Sequence, residues 1–366
     1  RSTPSNSSAA SDVYKRQIYI DERTAEELKV TLNWIKEFLD VDKLDPENIA
    51  KMLTMSGTEV KKVEDIGSRY KDIIVGKIKN FSLHPDADKL FICEVDVGVK
   101  KLNIVCGAKN FKNGDRVAVA LPGAVINGIT IKKSEIRGQV SEGMMCSEME
   151  LGLSSDSEGI MILDSNCIVG EGFAKSIGLD DIVYELEITP NRPDCLSVIG
   201  IARELSALTG YKLKIPDYDF KKRLNLDSEF IIEIKDYKLC PRYSAKIFKN
   251  VPNIKSPQWL KNRLMLCDVR PVDLIVDLTN YVMLETGQPL HAFDKDLLYS
   301  NKIIVRRAKK GEKIKTIDDS LRILDKDSLV IADEKKAVAI AGIMAVSYTH
   351  LRAHETSLHL VCRLLL

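Results

Sequence analysis

The stretch Thr279-Asn280-Tyr281-Val282-Met283-Leu284-Glu285-Thr286-Gly287-Gln288-Pro289-Leu290-His291-Ala292-Phe293-Asp294 decides the reading of this 366-residue chain. It sets a hydroxyl, an amide and an imidazole (Thr279, Asn280, His291) around one tight Gly287-Gln288-Pro289 corner. Groups of these kinds bind a polar substrate or position a water for hydrolysis. Pro271 is expected to open the helix that leads into the corner, with Leu274, Ile275, Leu278, Tyr281 and Val282 as its buried stripe. Positions 279 and 280 flank that stripe, so they can project from the packed face. A purely structural alternative stands beside this one: Thr279 and Asn280 cap a helix end, and His291 satisfies a backbone carbonyl.

Two blocks lie upstream. One is Gly143-Met144-Met145-Cys146-Ser147 with Glu150-Leu151-Gly152-Leu153; the other is Pro190-Asn191-Arg192-Pro193-Asp194 running into Ile201-Ala202-Arg203-Glu204. With them, the 279–294 stretch resembles the editing domain of bacterial phenylalanyl-tRNA synthetase beta subunits, and the three blocks keep that family's order. The resemblance covers roughly residues 28 to 344.

The resemblance implies a multi-domain α+β chain. An OB-fold tRNA-binding β-barrel (69–178) would be inserted in a small α+β domain (28–68 with 179–212). A mixed α/β editing domain of the B3/B4 type would follow at 213–346, read as truncated. It also implies a beta subunit of an α2β2 phenylalanine–tRNA ligase, partnered by the alpha subunit and tRNA(Phe), acting in the cytoplasm without membrane or DNA. ATP and Mg2+ would serve the holoenzyme. The aminoacylation site would lie in alpha, and no cofactor or metal ligand is assigned within this chain. His291, Thr279 and Asn280 match positions of the family's editing pocket.

That pocket answers a discrimination problem. Tyrosine differs from phenylalanine by one hydroxyl, which an apolar pocket rejects poorly. A second site that welcomes the phenol and hydrolyses tyrosyl-tRNA(Phe) needs polar readers, a positioned water and donors for the oxyanion. In the family, Ala341-Gly342-Ile343-Met344 would run on into a Gly-Gly pair and a later carboxylate; here Ala345-Val346 departs from that pattern.

Bulk properties agree with a folded chain of two or three domains: 45% of residues are hydrophobic, and 54 basic against 53 acidic side chains leave a net charge of +1. Any RNA-binding face must therefore be local. The eight cysteines form no CxxC pair, which argues against structural zinc or a disulfide framework. No Walker A or GxGxxG motif is present. No apolar run approaches membrane-spanning length.

The ends read as foreign. Residues 1–17 (RSTPSNSSAASDVYKRQ) and 347–366 (SYTHLRAHETSLHLVCRLLL) resemble translated adapter sequence, and both are expected to lie off the core and carry no function; 1–27 as a whole reads as an artefactual or upstream leader. His350 and His354, spaced four apart, lack the third ligand a metal site requires.

Between the ends, Leu32, Ile35, Phe38 and Leu39 share a helical face, and Pro46 opens a second helix whose last turns are Lys51 to Ser56. From Ile73 the period changes to two. Five short strands, with a hairpin at Asn127-Gly128, suit a small Greek-key barrel. The Lys77, Lys79, Lys89, Lys109, Lys132 and Arg137 side chains are its candidate tRNA contacts, and Phe81, Phe91 and Phe111 its available stacking aromatics. Residues 71–150 carry 12 basic and 10 acidic residues, a small excess that leaves open a purely supporting barrel. His84 reads as a loop residue bonded to Asp86 or Asp88.

Pro193 and Asp194 are expected to start a helix with Leu196, Ile199, Ala202, Leu205 and Leu208 on one face, ended by Gly210. Arg192, Arg203 and Glu204 are read as capping and salt-bridging groups. Residues 213–228 form a linker, and Ser256-Pro257 caps a further helix carrying Leu260, Leu264 and Cys267. A non-catalytic OB-fold module would explain 73–150 alone, and a free-standing editing hydrolase 240–344 alone.

Overall fold

The computed structural model describes residues 27–154, 159–216, 230–248, 251, 254–316, 320–342, 344–345 and 359–365, the last two stretches by backbone course only. They form two compact units: one runs through Val63 and resumes at Val183, and Glu64–Ile182 is inserted between.

The first unit opens with β1 (Glu27–Thr31), which passes directly into α1 (Leu32–Lys36). Thr31 ends the strand and caps the helix, its Oγ1 accepting from Trp34 N at 3.3 Å. The expected face Leu32, Ile35, Phe38 and Leu39 is buried. In α2 (Pro46–Met55) proline follows the Asp45 cap, whose Oδ2 accepts from Glu47 N at 3.1 Å; the 51–56 run is the end of that helix. β2 (Glu59–Asp65) then leads towards the inserted unit.

That unit is a barrel. Its strands are β3 (Ile73–His84), β4 (Ala87–Asp96), β5 (Lys101–Cys106), β6 (Arg116–Ala120), the hairpin β7 (Val125–Ile126) and β8 (Ile129–Thr130), β9 (Ser134–Ile136), β10 (Gln139–Ser141), β11 (Met144–Met145) and β12 (Ile162–Leu163). The main sheet runs β11-β6-β3-β4-β5. Glu142 N donates to Asn103 O at 2.8 Å, joining β5 to the segment before β11 and closing the ring. Alternation builds it. Val117 and Val119 of β6 face a core with Ile78, Val95 and Ile104, while Ala118 and Ala120 face a second core with Ile73, Val75 and Phe173. Phe173 opens α3 (Phe173–Ile177), which packs on β3. The Asn127-Gly128 turn has φ of 48° and 78°, the doubly positive geometry that suits the strand twist of a tight hairpin.

β13 (Ile182–Glu187) lies between β1 and β2. Lys61 Nζ bridges Glu27 and Glu187 across that sheet, at 3.1 and 2.9 Å. The following helix, α4 (Val198–Thr209), begins later than expected. Arg192 occupies the Asp194 carboxylate at 2.9 Å, so Pro193–Cys195 closes a 3-10 turn and Ser197 Oγ caps α4 through Gly200 N at 3.0 Å. Ile199, Ala202 and Leu205 are buried against α1 and α2, whereas Leu196 and Leu208 fall outside that face. Arg192 also reaches Glu204 at 2.7 Å, the salt-bridging role expected of it.

The remaining elements are β14 (Ile231–Ile234), β15 (Arg242–Phe248), α5 (Gln258–Leu266), α6 (Leu274–Thr286), β16 (His291–Asp294), β17 (Lys302–Arg307), the hairpin β18 (Lys313–Lys315) and β19 (Leu321–Ile323), β20 (Leu329–Ala332), β21 (Ala337–Ile340), β22 (Met344–Ala345) and β23 (His359–Leu365). One sheet runs β14-β17-β20-β21-β22 and another β15-β23-β16. Their core includes Phe293, Ile303, Val305, Val330 and Val338. Cys93, Cys106, Cys146, Cys167, Cys195, Cys240 and Cys267 are free and buried, and burial pushes the Cys93 and Cys146 thiols up to about 12.

The C-terminal tail corrects an expectation. Residues 359–365 do not stay off the core: β23 pairs antiparallel with both β15 and β16. Two strand edges facing one gap leave rows of backbone donors and acceptors to be satisfied, and an extended segment between them pairs with both. Residues 1–17, 217–229 of the linker and 347–358 lie outside the described residues. Among the described residues no helix is long and apolar enough to cross a membrane.

Candidate functional site

Helix α6 carries the first two candidate residues. Asp273 caps it, Oδ1 accepting from Ile275 N at 2.9 Å and Val276 N at 3.0 Å. At the other end Gly287 takes a left-handed φ of 75°, and its N–H returns to Met283 O at 2.8 Å. Both caps are thus occupied by other residues. Thr279 and Asn280 sit in mid-helix, which rules out the capping alternative for them.

Thr279 Oγ1 donates to Val276 O at 2.7 Å, so its proton is held by the helix and its oxygen remains an acceptor. Asn280 Nδ2 is buried with no hydrogen-bond partner among the described residues. Such a donor is unusual in a folded protein and is suited to a ligand oxygen. After Gly287 the chain turns through Gln288-Pro289 and β16 packs back on α6. His291 opens that strand with its Nε2 buried and its ring edge-on to Phe293, centroids 4.6 Å apart. The corner therefore folds the strand bearing the imidazole back onto the helix bearing the hydroxyl and amide.

The burial of α6 corrects the expected apolar stripe. Leu278 is 39% exposed, and the buried positions are Asp277, Leu284 and Glu285. Asp277 accepts from Val272 N at 2.8 Å and from Ser256 Oγ. Ser256 is thereby drawn away from capping α5, whose N-cap is Pro257. Burial raises the Asp277 pKa from its ordinary value, against the Ser256 hydrogen bond. Glu285 Oε2 accepts from Trp34 Nε1 at 3.2 Å. Between them Tyr281 stacks on Trp34 at 4.8 Å and accepts from Arg263 Nη1 at 3.1 Å. Burial, reinforced by the Glu285 hydrogen bond, raises the Tyr281 phenol above its ordinary range. Sequence reasoning passed over Trp34, Arg263, Asp277 and Glu285. The signal available was polar residues every four positions (277, 281, 285) in a helix read as apolar.

In the barrel, Lys79 is tied to Asp96 at 3.1 Å, and Arg137 Nη1 donates to Asp86 O at 3.1 Å beside the β3–β4 turn. Lys77 is half-buried on β3, and Lys89, Lys109 and Lys132 are exposed on β4, after β5 and after β8. Phe81, Phe91 and Phe111 meet one another edge to face, with centroids 5.1 to 5.8 Å apart, and Phe111 is buried. His84 accepts from Asp86 N and faces Ile136 O, each at 3.1 Å, as a loop-ordering residue.

A family model described as "B3/4 domain" matches residues 239–365, and one described as "Putative tRNA binding domain" matches 73–172. The chain is 47% identical over 323 residues to the phenylalanine–tRNA ligase beta subunit of Clostridium acetobutylicum, covering 87% of this chain and 40% of that protein. It is 46% identical to the corresponding subunits of Syntrophus aciditrophicus, over 87% of this chain and 40% of that protein, and of Geobacter metallireducens, over 90% and 41%. The chain thus spans about two-fifths of the length of the curated relatives it matches. With both domain matches and this level of identity across nine-tenths of its residues, the chain belongs to the family of phenylalanine–tRNA ligase beta subunits.

Proposed function

We propose that the chain works as part of the beta subunit of a cytoplasmic phenylalanine–tRNA ligase, which esterifies tRNA(Phe) with L-phenylalanine using ATP and Mg2+. In this reading the partner is the alpha subunit, in an α2β2 assembly, and alpha carries the aminoacylation site. The portion described binds tRNA(Phe), with Lys77, Lys79, Lys89, Lys109, Lys132 and Arg137 as backbone contacts. It also contributes Thr279, Asn280 and His291 to hydrolysis of mischarged tyrosyl-tRNA(Phe). The observation that carries this is the 47% identity running across 87% of the chain, through both matched domains rather than one.

The chemistry follows from the donors available. The Asn280 amide is a buried donor for a phenol or ester oxygen. The Thr279 oxygen accepts. The imidazole of His291 serves as donor or general base for a water held against the ester. Binding a phenol by hydrogen bonds separates tyrosine from phenylalanine far better than shape alone.

The test uses a full-length beta subunit carrying these residues, paired with alpha. His291→Ala should slow deacylation of tyrosyl-tRNA(Phe) by about 10²- to 10⁴-fold, with phenylalanyl-tRNA synthesis nearly unchanged. Equal loss of both activities, or no loss of deacylation, would overturn the reading.

A further inference from the structure

Helix α6 is held by polar anchors rather than by an apolar face, and the farthest of them in sequence are in α1. Asp277, Tyr281 and Glu285 are spaced by four, so at about 100° per residue they share one side of the helix. The first is tied to Ser256 and Val272 N. The other two are tied to Trp34, by a 4.8 Å stack on Tyr281 and by the 3.2 Å hydrogen bond to Glu285. Arg263 locks the group. Its guanidinium lies 5.2 Å from the Trp34 ring, 5.7 Å from that of Trp259 and 5.9 Å from that of Tyr281, and it is ion-paired with Glu37.

We infer that Trp34 and Arg263 are positioning residues that set the rotation of α6 and thereby aim Thr279 and Asn280. This rests on the editing role proposed above. Thr279 lies about 160° around the helix from Tyr281, and Asn280 about 100°. Side-chain atoms about 6 Å from the axis move by about 1 Å when a helix turns by about 10°. A displacement of that size at a reacting group costs on the order of 10²-fold in rate. The segment supplying Trp34 and Glu37 lies outside the 239–365 domain match, so the site draws its setting from a part of the chain more than 200 residues away.

The experiment uses the full-length beta subunit with alpha, in Arg263→Met, Arg263→Lys, Trp34→Phe and His291→Ala forms. Two quantities are read: hydrogen exchange of the 274–286 amides, and the kcat and KM for tyrosyl-tRNA(Phe) deacylation. Arg263→Met and Trp34→Phe should speed exchange in α6 and lower kcat between about 10- and 100-fold with KM held. Phenylalanylation should be intact, and Arg263→Lys, which keeps the charge facing Glu37, should recover part of the loss. Unchanged exchange in 274–286 overturns the inference. So does faster exchange with full deacylation, if His291→Ala abolishes that activity. If His291→Ala leaves deacylation whole, the editing reading has failed instead, and exchange alone decides whether the seam sets the helix.

Discussion

The β3–β6 barrel and helix α6 solve the same problem, burying one face of an element, by opposite means. In the barrel, consecutive apolar residues of β6 alternate between two cores: Val117 and Val119 face one, Ala118 and Ala120 the other. In α6 the most buried side chain is the Asp277 carboxylate, and Tyr281 is held through its hydroxyl and ring face. Apolar burial is non-directional and tolerates small shifts. Hydrogen bonds and ring stacks are directional and do not. The barrel is built for stability, and α6 for a defined orientation.

The largest effect should come from the barrel. Ile104 is fully buried, and Ile104→Ala should cost about 2–5 kcal/mol from lost transfer energy and the cavity left behind. Urea unfolding followed by exchange in 101–120 measures it, and a cost under about 1 kcal/mol would mean the barrel core is loosely packed.

A polar anchor elsewhere in unit one, the Arg306–Glu312 pair, should come next. Both side chains are only 13% exposed, with two contacts of 2.8 Å. Arg306, helped by Lys309 N–H against the cost of burial, lowers the Glu312 pKa to about 2. A carboxyl depressed in this way stabilises the fold above its unfolded pKa, about 4.3, and loses that contribution as pH falls towards 2. Glu312→Gln should therefore cost on the order of 3 kcal/mol at pH 7, with the gap from the parent closing near pH 2. A pH-independent difference would assign the effect to packing instead.

The smallest effect sharpens the contrast most. Leu278 belongs to the apolar stripe that periodicity assigns to α6, yet it is 39% exposed. Leu278→Ala should stay within about 0.5 kcal/mol of the parent in a thermal melt. A loss of 2 kcal/mol or more would restore the apolar stripe and weaken the case for polar anchoring.

Much was legible in the sequence alone. The switch to period two at Ile73, the Asn127-Gly128 hairpin, the helices around Leu32–Leu39 and after Pro46, and the Gly287 corner all follow from rules acting over a few residues. The three ordered blocks pointed to the family for the same reason, since each is a local string. Tertiary structure decided the rest. No local rule pairs Trp34 with Glu285, 251 positions on, or draws Ser256 from a cap to Asp277. Nor does one place β23 between β15 and β16. Periodicity reports which residues share a face of an element; what that face meets depends on which distant segment the fold brings to it. A polar residue on a buried face looks like a defect until its partner arrives, and on α6 those partners come from α1, from α5 and from the turn before α5.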